Sequence, residues 1–534
     1  MRQALAYTIL ASIPLGIFGY VASTMTSGCS SGDNSDGGPD VTDDGYDPPP
    51  TPAAWDAPVT RPDDQTATQS RASCTYKRGD MPAATLGAST PVDKDIPITN
   101  VVVVMMENHS FDNYFGQLNK AQSRTDVEDP DGGETNTIVA SDGGTTIAPY
   151  THAPHLCTLD TNHEWDGTHL SWADGGMSGF AQENEGWSAS DLPNGADPTL
   201  ASGARAMFYY DQTDIPFYYA LAQNFAIADH YHASVLGPTW VNRMYLWGGS
   251  SLGRTENIFP DISNNPFPPE DANGNYANVE AGILDELEER HVDWAIYADA
   301  SPTALVYYGV GLLNRFGRPL PLHRATPSAA TPTDHSDFLD AAAAGTLPAM
   351  SFLDPDTIHE NSDGQDEHPP ADVQIGQKWM SDVVHAVMSS PQWPHLALII
   401  TWDEHGGFYD HLPPPPACVP DSVAPILNST GNNTINAQFD HYGVRVPLIV
   451  VSPFAKKGYV GHATYDHTSI LRFIEAKFKV PALTARDANA DALMDLFDFA
   501  GAPNATPPNV PAPTIDQAGL QFCETTYPHD GGGL

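Results

Sequence analysis

Basic residues are what this chain most lacks. Lys and Arg number 23 against 67 Asp and Glu, a formal net charge of −44. The sequence holds no basic cluster of the kind that neutralises a phosphate backbone, which speaks against nucleic acid as a partner. The deficit leaves room for a small anionic substrate, provided that a bound cation supplies the missing positive charge. Internal repeats are absent, so solenoids and propellers drop out. No arginine pair precedes the apolar stretch at the amino terminus, which argues against twin-arginine export. Cysteine is scarce at five. With Cys29 set aside, Cys74, Cys157, Cys418 and Cys523 form an even set able to make two disulfides in an oxidising compartment. Three pairings are open, and four buried thiols are the alternative.

What is present describes a folded, exported chain. A hydrophobic content of 41% with 10% aromatics is that of a globular protein. Arg2 precedes the apolar run "ALAYTILASIPLGIFGYVAS" and then "TMTSGCSSG", so residues 1–28 are expected to be a signal peptide. The "TSGC" ending at Cys29 resembles a bacterial lipobox, with Thr26 where Leu is usual. A lipidated Cys29 would hold the chain on a membrane in the cell envelope. An ordinary cleaved signal giving a secreted protein, or an uncleaved anchor helix, are the alternatives. Residues 29–70, rich in Asp, Gly and Pro, cannot bury enough apolar surface to offset ordering entropy and are expected to be a flexible linker. The folded body is placed at 71–500, ending in an expected helix "DALMDLFDFA", and 501–534 is a Pro- and Gly-rich tail that Cys523 could pin.

Within the body, apolar β-branched runs alternate with helical periods, the pattern of an α/β domain with a mostly parallel central sheet. The expected strands are 98–106, 292–299, 349–354, 396–402 and 446–452. The first and fourth are apolar at successive positions, so both faces must be covered. Helical spacing appears at Val279, Ile283, Leu284 and Leu287, and at Ile375, Trp379, Val383, Val384 and Val387. The Gly-, Asn- and Pro-rich stretches at 120–200 and 255–275 are expected to be loop insertions.

Two of these strands end in acid. "TNVVVVMMENHSFDNYFG" runs from buried valines straight into Glu107-Asn108-His109-Ser110, and "LALIITWDEHGGFYDH" runs into Asp403-Glu404 followed by Gly406-Gly407. Ligands bind beyond the carboxyl ends of parallel strands. Adjacent carboxylates repel unless a cation lies between them or one is protonated, so two acidic strand tips point to a metal site. Taken singly, Asn108 or Ser110 could cap a helix starting at Phe111, and Asp403-Glu404 could be solvated. Three further polar clusters stand apart in the chain: "CTLDTNHEWDGTHLSW" with His163 and His169, "SVLGPTWVNRMYLWGGSS" with Thr239, Asn242 and Arg243, and "DGQDEHPPADVQIGQ" around His368.

The segments "VVVVMMENHSFDNYFG", "CTLDTNHEW", "DIPFYYALAQNFAIADHYHASVLGPTWVNRMYLWGGSS", "EHPPADVQIGQ", "TWDEHGGFYDHLPPP", "GVRVPLIVVSPF" and "YDHTSILRFIE" resemble, in order, the bacterial phospholipase C and acid phosphatase family of phosphoesterases. That resemblance implies an alkaline-phosphatase-like three-layer α/β/α sandwich, with the catalytic domain at 71–500 and without the further carboxyl-terminal domains of some phospholipases. It implies Glu107, Asn108, Asp403 and Glu404 as ligands of one divalent metal, and Thr239 as a nucleophile that also touches the metal. His163 and His368 would contact the phosphoryl group or the leaving oxygen. His405, Asp410 and His411 are expected behind the ligands, Asp466 as a helix cap, and His467 as a residue that could face the pocket. The donors are all oxygens, which suits Ca²⁺, Mg²⁺ or Mn²⁺ better than Zn²⁺. The expected activity is phospholipase C-type hydrolysis of phosphate diesters, phospholipid included, through a phosphothreonine. Acid phosphatase action on monoesters is the alternative, and a catalytically silent surface-binding lipoprotein is a second. A sulfatase would need a modified Cys or Ser motif that is not found around Thr239. Aromatic segments 172–180 and 207–219 could form a cage for a choline headgroup or belong to the core.

Overall fold

Four consecutive valines, Val101 to Val104, favour extended backbone because a β-branched side chain is stiff at χ1 and packs well on a pleated surface. In the structure, a computed structural model describing residues 56–258, 281–299, 301–325, 337–356 and 364–527, they form the strand Asn100–Met106, buried at every residue. Leu396–Trp402, buried throughout, pairs with it in parallel from Asn100 opposite Leu396 to Met106 opposite Trp402. On the other side follow Met350–Leu353, Trp294–Tyr297 and Leu322–His323, all parallel. Beyond Leu396–Trp402 lies Leu448–Val451, antiparallel to it, then Ala226–Ala228, antiparallel again, and Val460–Gly461, parallel to its neighbour. The protein is therefore α/β with an eight-stranded, mostly parallel sheet. All five expected strands form. Ala226–Ala228, Leu322–His323 and Val460–Gly461 were not expected, being too short to carry a hydrophobic pattern.

Register shows that both faces are covered. Val103 lies opposite both Ile399 and Phe352, so these three share one face, while Trp402, three residues beyond Ile399, points to the other. Phe352 packs on Trp247 of the helix Thr239–Gly248, with ring centroids 4.5 Å apart. Trp402 packs on Tyr218 of the helix Pro216–Asn224 at 5.2 Å and on Tyr114 of the helix Phe111–Phe115 at 5.4 Å. Helices thus form a layer on each side. Because Leu448–Val451 is reversed against both neighbours, the other seven strands all direct their carboxyl ends to one edge.

The expected insertion at 120–200 carries its own structure: a hairpin pairing Thr135–Val139 with Thr145–Pro149, and the helix Trp165–Trp172. Two small apolar clusters hold it, one around Phe180, Met207, Tyr409 and Val444, the other around Leu159, Tyr527 and the Cys157–Cys523 disulfide. The second disulfide joins Cys74 to Cys418. Of the expected helices, the one carrying Ile375 to Val387 forms as Val373–Ser389, and Ile283–Glu289 forms, whereas Val279 falls outside the described residues. So do the signal peptide, Cys29, the linker up to residue 55 and most of 255–275.

Two expectations at the ends of the body are corrected. The linker does not extend to 70: one compact unit begins at Thr60, and Asp64–Ala72 is a helix capped by Asp63, whose Oδ1 accepts the Thr66 N–H at 2.9 Å. That helix is polar and buries only Ala67, so composition hid it. Nor is "DALMDLFDFA" an α-helix. Its backbone turns left-handed at Leu493 (φ 60°), and only a short 3-10 turn, Met494–Leu496, follows. Its apolar side chains enter the core singly; Phe497 stacks on Phe473 at 5.2 Å. Beyond it the tail forms a helix, Gln517–Thr526, which Cys523 ties to the body.

The two bridges span sequence separations of 344 and 366, so each removes much freedom from the unfolded chain. Replacing Cys157 and Cys523 together by Ser is expected to lower stability by about 2–5 kcal/mol in urea unfolding. Peptide mapping without reductant should recover Cys74 linked to Cys418 and Cys157 to Cys523.

Candidate active site

Asn108 is released from capping by its neighbour. Ser110 caps the helix Phe111–Phe115, its Oγ accepting the Asn113 N–H at 3.1 Å while its hydroxyl donates to the Tyr409 carbonyl at 2.6 Å. Asn108 adopts a left-handed backbone (φ 64°), a conformation Asn tolerates better than most residues. This turns its N–H onto Asp403 Oδ1 at 3.1 Å. The two acidic strand tips are thereby joined by a hydrogen bond between backbone and carboxylate.

The glycines after Glu404 permit this approach. A Cβ on Gly406 would lie 2.2 Å from the Asn108 carbonyl oxygen, and one on Gly407 would lie 2.9 Å from the Asn162 carbonyl oxygen. Both have positive φ, 63° and 74°. The loop thus folds onto Asn108 on one side and onto the His163 segment on the other, where the Thr161 hydroxyl donates to the Gly406 carbonyl. Glu404 turns inward: its Oε2 accepts the Gly406 N–H at 2.8 Å and pairs with His405 Nδ1 at 3.1 Å.

One cation serves these acids. Arg243 donates from Nη2 to Glu107 Oε1 and from Nε to Asp403 Oδ2, each at 3.0 Å, and from Nη2 to the Met106 carbonyl at 3.1 Å. It sits one helical turn after Thr239, which opens the helix Thr239–Gly248 and is 2% exposed. Residues i and i+4 share a helix face, so Thr239 lies on the face of the helix that Arg243 turns to the strand tips. In the sequence Arg243 stands beside Thr239 with nothing to indicate its partners. Burial pushes Glu107 well above the usual carboxylate range, with Arg243 pulling it down and Asp403 pushing it further up. Burial also raises Asp403. Burial works to raise Glu404 as well, but His163 and His405 outweigh it and hold that carboxyl below its ordinary value.

His163 and His368 converge, with ring centroids 5.7 Å apart. Each Nδ1 lies against a carbonyl, Thr161 at 2.8 Å and Pro369 at 2.6 Å, so each ring keeps Nε2 for other partners. His163 Nδ1 is also 3.5 Å from the Asn108 amide nitrogen, which links this pair to the strand tips. Burial disfavours the imidazolium of His163, but the charges of Glu404 and Asp160 prevail and raise its pKa. Asp160 completes a set with the two histidines whose ligand atoms all lie within 4.8 Å of one another. It stood three residues before His163 in "CTLDTNHEW" and was missed.

The remaining expected residues divide. His405 touches Glu404, as expected. Asp410 and His411 reach no proposed ligand: Asp410 takes Arg445 Nε at 2.9 Å, and His411 pairs with Asp112 at 2.7 Å, in a separate buried network. Asp466 is the N-cap residue of the helix His467–Phe478. His467 is buried rather than facing a pocket, its Nε2 donating to the Asp403 carbonyl at 2.7 Å and its Nδ1 accepting from the Tyr231 hydroxyl at 3.0 Å.

The residues fit a hard cation in chemistry. Of three buried carboxylates, Glu107 and Asp403 share one guanidinium and Glu404 pairs with His405, and two buried oxygens, Asn108 Oδ1 and Glu404 Oε1, have no hydrogen-bond partner among the described residues. Orphaned buried oxygens are costly unless something positive meets them. In geometry the fit is looser. The three carboxylates are not among the described sets whose ligand atoms lie within 4.8 Å of one another, and Arg243 occupies the space between Glu107 and Asp403.

The chain is similar to proteins of known class. A profile described as the Phosphoesterase family matches residues 98–481. Phospholipase C A of Mycobacterium tuberculosis is 31% identical over 452 residues, 78% of this chain and 80% of its own length. Non-specific phospholipase C6 of Arabidopsis thaliana is 29% identical, over 77% of this chain and 74% of its own. Among solved structures, murine ectonucleotide pyrophosphatase/phosphodiesterase 5 aligns with a TM-score of 0.35 and 12% identity, covering 53% of this chain and 95% of that one.

Arg243 can be tested directly. Arg243→Met leaves two buried carboxylates without their cation and is expected to cost about 3–5 kcal/mol of stability in urea unfolding. A divalent ion that replaces the lost charge should raise the melting temperature of the variant more than that of the unaltered chain.

Proposed function

The chain belongs to the Phosphoesterase family and is a hydrolase of phosphoric ester bonds, and from that premise we propose that it is an exported, metal-dependent enzyme that cleaves phosphate diesters of the phospholipid class. The observation that carries the mechanism is the meeting of the two acidic strand tips, through Asn108, Asp403 and Arg243, beside the helix that Thr239 opens. Glu107, Asn108, Asp403 and Glu404, with the Thr239 hydroxyl, are the groups that would hold the divalent ion. Such an ion lowers the pKa of a hydroxyl and offsets charge on phosphoryl oxygens.

Thr239 Oγ, its proton already given up to solvent and regained only outside the cycle, forms a bond to phosphorus as the bond to the alcohol oxygen breaks in line, giving a phosphothreonine and diacylglycerol. The departing oxygen takes a proton from Nε2 of His163 or His368, the nitrogens not engaged by the Thr161 and Pro369 carbonyls. Water then attacks the phosphothreonine, the bond from phosphorus to Thr239 breaks, and the imidazole recovers its proton from that water.

A cavity lined in part by a residue close to Thr239 in the chain supports a diester carrying a cationic headgroup over a simple monoester. Of the two aromatic segments, Phe180, Tyr210, Phe217, Tyr218 and Tyr219 are buried in the core. Trp172 instead lines a cavity of about 250 Å³ with His169, Leu236, Asp440 and His441. Leu236 stands three residues before Thr239, and the Trp172 ring lies 5.1 Å from that of His441. An aromatic face beside a carboxylate suits a quaternary ammonium.

Thr239→Ala is expected to reduce turnover to background while the unfolding midpoint stays within error of the unaltered chain; dialysis against a chelator should abolish activity, and a divalent ion should restore it. Trp172→Ala should slow hydrolysis of phosphatidylcholine about tenfold, the worth of one cation–π contact, and leave an aryl phosphate monoester unaffected. Equal effects on both substrates would favour the phosphatase reading.

A further inference from the structure

A second set of ligand-bearing side chains lies at the same edge of the sheet, away from the acidic strand tips. Strand pairing builds it. Ala226–Ala228 and Val460–Gly461 run parallel with Ala228 opposite Gly461, and the Asp229 N–H donates to the Gly461 carbonyl at 3.1 Å. The next residue on each strand is therefore brought together with its counterpart, Asp229 with His462. His230 Nδ1 meets Asp229 Oδ1 at 2.8 Å, and His462 Nδ1 meets the same oxygen at 2.9 Å and Oδ2 at 3.0 Å. The Asp229 carboxylate is wholly buried, whereas the side chains of His230 and His462 are 28% and 55% exposed. The ligand atoms of the three residues all lie within 4.8 Å of one another.

We propose that Asp229, His230 and His462 bind a transition-metal ion of the Zn²⁺ class, as a clip that closes the outer edge of the sheet. Two imidazole nitrogens and a carboxylate oxygen are the ligands such an ion prefers, and the set differs from the all-oxygen donors proposed for catalysis. A tetrahedral ion at about 2.0–2.1 Å from each ligand needs ligand atoms about 3.3 Å apart: the two contacts between Asp229 and the rings, 2.8 and 2.9 Å, need to open by about half an ångström, and the two imidazole nitrogens already lie within 4.8 Å of each other. Each Nδ1 must give its proton to Nε2 or to solvent, and the exposure of both rings provides that route. The carboxylate is already oriented by the Glu128 N–H, which donates to Asp229 Oδ2 at 2.9 Å, an arrangement typical of supported metal ligands. Surrounding charge is mixed. Arg445 donates to the Asp229 backbone carbonyl at 2.7 Å and opposes a cation, while Asp126 lies close enough to be influenced by His462 and favours one. The edge gains from a clip: Val460–Gly461 is the terminal strand and has two residues.

The test uses the full chain, stripped with chelator and titrated with Zn²⁺ by equilibrium dialysis and by thermal melting. His462→Ala removes an exposed ring and keeps the fold; it should weaken one Zn²⁺ binding event at least about tenfold and abolish the associated rise in melting temperature. Glu404→Gln, run in parallel, marks any ion held at the catalytic site. Loss of Zn²⁺ uptake in Glu404→Gln alone, or identical stoichiometry and affinity in His462→Ala and the unaltered chain, would overturn the clip. Neither result would touch the proposed hydrolytic mechanism, which Thr239→Ala addresses.

Discussion

Negative charge buried at the tips of two neighbouring strands is the condition on which the rest of this architecture turns. Glu107, Asp403 and Glu404 are each 3% exposed or less, and a carboxylate taken out of water must be met by positive charge or by hydrogen bonds. Arg243 meets two of them, and the backbone of Asn108 meets one. Everything around the tips follows from bringing those partners in. Asn108 turns left-handed, the loop after Glu404 carries two glycines, and a helix from the middle of the chain delivers Arg243 to the strand tips.

A second buried network supports the first. Arg445 bonds Asp112 at 2.8 Å and Asp410 at 2.9 Å, and both acids sit one short segment beyond a strand tip. The pair locks the helix that follows Asn108 to the loop that follows Glu404. The strand tips are thus held from behind, and the acids nearest the proposed chemistry need not hold the fold themselves. Glu367, next to His368, has a similar part. Its carboxylate accepts from the hydroxyls of Tyr114 at 2.8 Å and Tyr218 at 2.6 Å and from Trp402 Nε1 at 3.0 Å. Burial pushes it up to about 8, and the loop bearing His368 is fastened to a core strand and two helices.

Much of this was legible in the sequence, for identifiable reasons. Strands buried on both faces must be apolar at every position, so Val101–Val104 and Leu396–Ile400 declared themselves, and acid directly after such a run has few structural uses. The α/β class followed from the same runs. Asp160 and the role of Arg243 were hidden because their partners lie far away in the chain, and no local pattern tells a guanidinium which carboxylates it will find. The helix Asp64–Ala72 was missed because it is stabilised by its cap and by one buried alanine rather than by an apolar stripe. The opposite error came at 491–500, where apolar spacing suggested a helix and tertiary packing drew the chain out instead.

The two disulfides have a mechanical meaning. Cys74 is bonded to Cys418, and Cys523 to Cys157. Tension between the ends of the chain has two covalent routes from Cys74 to Cys523, one crossing to Cys418 and then following the backbone, the other following the backbone to Cys157 and crossing there, and neither needs the backbone between Cys157 and Cys418. His163, Thr239, His368, Asp403 and Glu404 all lie in that bypassed stretch, so a pull on the ends would leave the segment that carries them slack, whereas Glu107 and Asn108 lie on the route through Cys157.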